Sequence, residues 1–137
     1  MQERTFLGLS EALPGIKAML RAAKEQPGRP IAAAVMDAHG DLVAFACEAG
    51  ANPALARQNA LKKAYTAACM RVDTVEYGRR SGAPQSNLTG GQGGLVIVDP
   101  GDGSIMGGVG VSGRSGDEDE AIAHAGLQVV LELLRKG

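Results

Sequence analysis

Gly107-Gly108-Val109-Gly110-Val111-Ser112-Gly113, then Asp117-Glu118-Asp119-Glu120 and Ala121-Ile122-Ala123-His124-Ala125-Gly126-Leu127, is the stretch that decides the fold. A glycine-rich strand ends in a turn, and four acids open an apolar helix. Glycines in a strand allow close approach of another backbone or a ligand. Ser115 is placed to cap the helix with Glu118 three residues on, and acids in the first turn complement the helix dipole. The pattern predicts a last helix over 117–135. Its apolar residues Ile122, Leu127, Val129, Val130, Leu131, Leu133 and Leu134 leave only a narrow polar stripe at Gln128, Glu132 and Arg135. Such a helix needs cover on two sides. Its own sheet supplies one, and a partner subunit is the expectation for the other.

Upstream, Leu95–Val98 and Ile105–Val111 read as a hairpin around Asp99-Pro100-Gly101-Asp102-Gly103. An earlier hairpin joins Ile31–Met36 to Leu42–Cys47 through Asp37-Ala38-His39-Gly40-Asp41, where Asp first and Gly fourth suit a type I turn. The run Ile-Ala-Ala-Ala-Val-Met is apolar on both faces, so it belongs at a sheet centre covered twice, by this chain or by a second copy. A first helix is expected from Ser10 to about Lys24, or from one or two residues later, because Pro14 suits only a first turn. A second runs from the cap Asn52-Pro53 to about Met70. On it Leu61, Ala64, Tyr65 and Ala68 form the core face, with Lys63 away from them beside Asn59, Thr66 and Met70. Asp73-Thr74-Val75-Glu76 resembles a capping box for a short helix ended by Gly78. Residues 81–94 form a loop rich in Gly, Ser, Pro and Asn, of a length that is often functional.

At 137 residues the chain is one domain by the usual size prior, 1–137, with room for a core. Aromatic residues make up 3%, so the core is built from Ala, Val, Leu, Ile and Met, and the 20 glycines point to close backbone packing. A net charge of −1 supplies no basic field for nucleic acid and no polybasic membrane signal. Cys47 and Cys69 lie in apolar contexts and read as buried, reduced thiols. The segment Met1–Phe6 lacks an apolar h-region and no stretch approaches a membrane span, so a cytoplasmic location is the expectation.

Three blocks together resemble the GlcG/HbpS family of small haem-binding-like proteins, to which the C-terminal domain of PduO is related. They are Ile31-Ala-Ala-Ala-Val-Met-Asp-Ala-His-Gly-Asp-Leu-Val-Ala-Phe45, Lys63-Ala-Tyr-Thr-Ala67, and Gly107–Gly113 with Asp119-Glu-Ala-Ile-Ala-His-Ala-Gly126. The likeness runs from about Leu7 to Leu133, and the order and spacing of the blocks are specific. It implies an α+β domain with a central antiparallel sheet of about five strands flanked by helices (profilin/roadblock-like), assembling into dimers or larger rings. Some members of the family bind haem or take part in its degradation, one is linked to glycolate utilisation, and the PduO domain accompanies a corrinoid adenosyltransferase. Fold-level likeness does not choose among these. The family turn commonly reads Asp-x-Gly-Gly, whereas here it reads Asp37-Ala38-His39-Gly40. No haem axial ligand carries over residue by residue.

Haem needs an axial ligand and an apolar slot. The only histidines are His39, at a turn tip, and His124, one helical turn after Glu120. No metal spacing is present, and no metal site is expected. No cofactor is predicted, haem and corrinoid being the alternatives that the resemblance leaves open. For catalysis the residues singled out are Lys63, as the basic group, with Asp117 and Glu120, since a helix-start carboxylate at a closed interface rises in pKa and transfers protons. Lys63 is expected near the Gly90–Gly94 loop and the Gly107–Gly113 strand. His39, Asn87, Thr89, Gly90, Gly91, Gly108 and Ser112 are the candidate ligand-binding residues, the loop glycines offering backbone N–H groups to a small anion. No nucleophile elbow is present. Three readings follow: a homo-oligomeric protein binding a small organic ligand near a subunit interface; a catabolic enzyme performing acid–base isomerisation or hydrolysis; and a haem or corrinoid accessory protein.

Overall fold

A computed structural model describes residues 6–82 and 85–136; within the 81–94 loop, Ala83 and Pro84 lie outside the described residues, as do Met1–Thr5 of the N-terminal segment. The elements are α1 (Leu9–Lys24), β1 (Ala32–Asp37), β2 (Leu42–Cys47), a π-helical segment (Pro53–Gln58) running into α2 (Asn59–Met70), α3 (Thr74–Ser81), β3 (Gly94–Val98), β4 (Ile105–Ser112) and α4 (Gly116–Lys136). The four strands form one antiparallel sheet in the order β2-β1-β4-β3. The sheet has four strands where about five were expected.

The all-apolar β1 is covered on both faces by this chain alone. Ala33 and Val35 face a core with Ile16 and Met19 of α1 and Ile122 and Val130 of α4. Ala34 and Met36 face Ala64 and Ala68 of α2. The second side of α4 packs against α1 of this chain. Gly126 and Gly15 permit that contact, since a Cβ at Gly126 would lie 2.7 Å from the Met19 sulfur. Leu134 belongs to this internal core.

On the other face, α2 lies unusually close to β4. A Cβ at Gly110 would sit 2.5 Å from the Ala64 amide nitrogen, and one at Gly108 2.5 Å from the Ala64 carbonyl oxygen. Glycines on the strand and alanines on the helix therefore bring two backbones together, and α2 turns its Ala60, Lys63, Ala64 and Ala67 side to the sheet. The face expected from spacing holds in part: Ala64 and Ala68 are buried with Leu61 and Tyr65 partly buried against them, but Lys63, expected away from the core, is on the packed side.

Several local expectations also shift. α1 starts at Leu9, earlier than Pro14 suggested, with the Gly8 amide donating to the Glu11 carboxylate at 2.8 Å; Pro14 lies inside the helix. The Asn52 cap forms as read, its Oδ1 accepting from Ala54 and Leu55 N–H. The turn that follows is π-helical, with Arg57 N–H donating five residues back to Asn52 C=O at 3.1 Å. Asp73 caps no helix amide with its side chain; it accepts from Val96 N–H of β3 at 2.9 Å. Gly78 does not end α3 but packs against Gly90, and Gly82 ends the helix. Cys47 is exposed and Cys69 half-buried, so neither is the fully buried thiol expected.

Candidate functional site

Lys63 is buried, 6% exposed, at the end of the sheet where β4 hands over to α4. Its Nζ donates to Val111 C=O at 2.9 Å and to Asp119 Oδ2 at 3.2 Å. Asp119, 2% exposed, also accepts from Arg114 N–H at 3.0 Å through Oδ1. Thus β4 supplies the carbonyl and α4 the carboxylate. Each charge is held by a separate element, and α2 reaches them because the strand beneath it lacks side chains.

The 89–93 segment closes over the lysine. A Cβ at Gly93 would meet Lys63 Nζ and Asp119 Cβ at 3.0 Å, and its φ of +125° already favours glycine. Thr66 Oγ1 accepts from Thr89 N–H at 3.1 Å, and Thr74 Oγ1 donates to Gly91 C=O at 2.6 Å, so buried threonines on α2 and α3 fix the segment. Between this segment, the π-helical turn and the start of α4 opens a cleft of about 360 Å³. Lys63 and Asp119 lie in its wall with Arg29, Asn59, Gln92, Ser112 and Arg114.

Burial pushes the Lys63 ammonium below the usual lysine range, more strongly than the attraction and hydrogen bond of Asp119 hold it up. Burial likewise pushes the Asp119 carboxyl above the usual range, against Lys63 and the Arg114 amide. Both shifts favour the neutral forms, which brings the two groups closer in proton affinity than a lysine and an aspartate in water. Glu118 differs: its hydrogen bonds with Ser115 hold it below the usual carboxylate range, and the pair closes the capping box read from the sequence.

The carboxylate beside Lys63 is Asp119, not Asp117 or Glu120. Asp117 is exposed and accepts from Gln92 Nε2 at 3.1 Å; Glu120 is half-buried, and neither lines the cleft. Of the residues expected to bind ligand, Thr89, Gly91 and Ser112 line it, with Ser112 Oγ donating to Leu55 C=O at 2.8 Å. Asn87 is exposed and outside it. Gly90 packs on Gly78 and Gly108 under α2, so their roles here are close backbone contacts. His39 lies at the other end of the sheet, since β1 runs from Ala32 beside Ser112 to Asp37 beside Gly107. It borders a separate cavity of about 450 Å³ with Phe6, Arg71, Ile105 and Met106. Arg29, Gln92, Arg114 and Asp119 were not singled out from the sequence. For Asp119 the signal existed: it falls three and four residues before Ile122 and Ala123, on the buried stripe of α4.

Among the described residues no group of three or more His, Cys, Asp or Glu is placed to hold a metal ion, and no helix is long and apolar enough to cross a membrane.

The architecture is that of a small α+β domain whose antiparallel sheet is covered by helices on both faces, with an ionisable pair at one sheet end. The chain belongs to the family described as haem degrading protein HbpS-like, whose model matches residues 7–128. HbpS is similar at 30% identity, with 94% of this chain and 93% of that one covered and a TM-score of 0.82. A double mutant of HbpS from Streptomyces reticuli is likewise 30% identical, covering 94% and 90%, with a TM-score of 0.81. PduOC, solved as a haem complex, is 25% identical over 91% of this chain and 95% of that one, with a TM-score of 0.81. No curated protein matches the sequence.

Proposed function

We propose that this chain binds a small organic molecule in the Lys63–Asp119 cleft and that the pair moves a proton on it. The observation that carries the reading is the buried pair itself, with Nζ 3.2 Å from Oδ2 in the wall of an open cleft. A volume of about 360 Å³ lies within the range of small-molecule sites, about 300–1,000 Å³. Two neighbouring groups whose proton affinities burial draws towards each other are suited to acid–base chemistry. A second copy covering Leu55, which is 64% exposed at the mouth, would exclude water from the cleft. On this reading the protein is a homo-oligomer in the cytoplasm. The test is perturbation of the Gly91, Gln92 and Ser112 amide resonances by a panel of small carboxylates and carbonyl compounds. Perturbation is expected in the wild type and lost in Lys63→Met, which preserves the length of the side chain. A panel that leaves these amides unmoved refutes the site.

A second reading places haem at the His39 cavity, favoured by the PduOC:haem complex among the relatives. The residues fit in kind: His39 offers an imidazole, Met106 and Ile105 an apolar wall, and Arg71 a cation suited to a propionate. Hemin titration reads it directly. A Soret shift that saturates at a stoichiometric ratio and disappears in His39→Ala supports the haem site; weak, unsaturating change refutes it.

A further inference from the structure

We propose that Lys63 acts as a nucleophile that forms an imine with a small 2-oxo acid bound in the cleft, with Asp119 relaying the protons. The inference rests on the cleft reading above and adds to it the substrate class and a covalent step. Three observations combine.

The first is the position of the amine. Lys63 Nζ is anchored by Val111 C=O at 2.9 Å and Asp119 Oδ2 at 3.2 Å, and the Gly91 and Gly93 backbones pack over the side chain. Anchored and withdrawn from bulk water, the lysine is still one of the residues that line the cleft. Such desolvation is how buried lysines become nucleophilic towards carbonyls.

The second is the charge of the cleft wall. Arg29, Lys63 and Arg114 line the cleft with Asp119, and the Glu118 carboxylate stands near both arginines, so the cations outnumber these acids by one. The Arg114 guanidinium is tied to Arg29 C=O at 2.9 Å and Ala23 C=O at 2.8 Å beside Gly28, outside the cleft lining, so Arg29 is the arginine left for the rim. A carboxylate next to the reacting carbonyl would be held at this rim, while the carbonyl carbon reaches Nζ.

The third is the single acid within reach. With the proton on Asp119, the neutral amine adds to the carbonyl carbon and forms a carbon–nitrogen bond. Asp119 gives its proton to the developing alkoxide and takes one from the nitrogen, leaving a carbinolamine and a protonated Asp119. It then protonates the hydroxyl, the carbon–oxygen bond breaks, and water leaves. The products are a protonated imine on Lys63, the Asp119 carboxylate beside it, and one water. No oxidant or reductant is consumed.

The experiment incubates the whole protein with pyruvate or glyoxylate and sodium cyanoborohydride at pH 6.5, followed by intact mass and peptide mapping. Lys17, Lys24, Lys62 and Lys136 are internal controls, Lys62 being the neighbour in sequence. Anchored beside Asp119 in the cleft wall, where a bound 2-oxo acid is held against it, Lys63 should be alkylated at least about tenfold faster than any of them. An adduct mapped to Lys63, beside the one that the α-amine forms by ordinary reactivity, is the expected result. Adducts spread evenly over the lysines, or none at Lys63, overturn the imine. Amide perturbation by the same acids then decides whether the cleft reading survives: shifts at Gly91 and Ser112 without an adduct retain binding, and no shifts remove both.

Discussion

Replacing Asp119 with Asn probes the buried pair with one changed atom. Asparagine keeps an oxygen for the Arg114 N–H, which now donates to Asp119 Oδ1 at 3.0 Å, and removes the negative charge 3.2 Å from Lys63 Nζ. The lysine is then 6% exposed with no counter-charge on Asp119. Breaking one side of a buried pair costs about 3–5 kcal/mol. An upper limit comes from the lysine shedding its proton, which for an ordinary lysine at pH 7 costs about 5 kcal/mol. The two figures agree, so a loss of about 3–5 kcal/mol is expected at pH 7. The sign of the pH dependence follows from linkage. Burial already lowers Lys63, and Asp119 supplies the causes that raise it; without them the folded-state pKa falls further. Between the folded and unfolded values the unfolded chain binds the extra proton, so stability rises with pH there. The variant's deficit should shrink by up to about 1.4 kcal/mol per pH unit between its own folded-state Lys63 pKa and the wild type's lowered one, above which both chains gain stability in parallel. Urea unfolding of both proteins from pH 6 to 10 measures this. A deficit below 1 kcal/mol at pH 7, or one that does not change with pH, refutes the argument that Lys63 is held as a buried, charge-dependent group.

Gly110→Ala would push a methyl group into the Ala60 and Ala64 backbone, which cannot yield as a side chain tip does, and should cost about 3 kcal/mol or more in thermal or urea unfolding. Gly101→Ala, whose Cβ would meet only the Asp99 carboxylate at 3.2 Å, is the control and should change little. Asp73→Ala leaves the Val96 amide of β3 without its side-chain acceptor and should cost about 1–3 kcal/mol by the same measurement. In sedimentation, the wild type should be larger than a monomer at micromolar concentration, and Leu55→Glu should shift it to monomer with unchanged circular dichroism. Leu134→Glu should unfold the chain outright, because Leu134 lies in the internal core.

The hairpins, the order of helices and strands, and the capping box at Ser115 and Glu118 were legible because each rests on local chemistry: turn residues, periodicity and a serine three residues before a glutamate. What failed was the assignment of helix faces. On α2 the spacing grouped Leu61 and Tyr65 with Ala64 and Ala68, but the contact with β4 is made by Ala60, Ala64 and Ala67 against Gly108 and Gly110. Where two backbones touch, the smallest residues mark the buried face. That contact puts Lys63 on the packed side. On α4 the four acids look equivalent in composition, and only the phase of Ile122, Ala123 and Gly126 separates Asp119 from Asp117 and Glu120. Part of the apolar surface of α4 is taken up by α1 of the same chain, which no local pattern distinguishes from a second copy.

The two outer strands are not alike, and this bears on how copies of the chain can join. Along β3 the outward-facing amides of Gly94 and Val96 are already engaged, by Thr74 Oγ1 at 3.0 Å and Asp73 Oδ1 at 2.9 Å. Two side chains at the start of α3 thus close that margin to a foreign strand, as sheet proteins must if they are to avoid growing without limit. Among the described residues, strand addition is left with β2 alone. A sheet with one usable margin can pair with a single other sheet and then has none left, so growth by this route stops at two copies and cannot continue into a fibre.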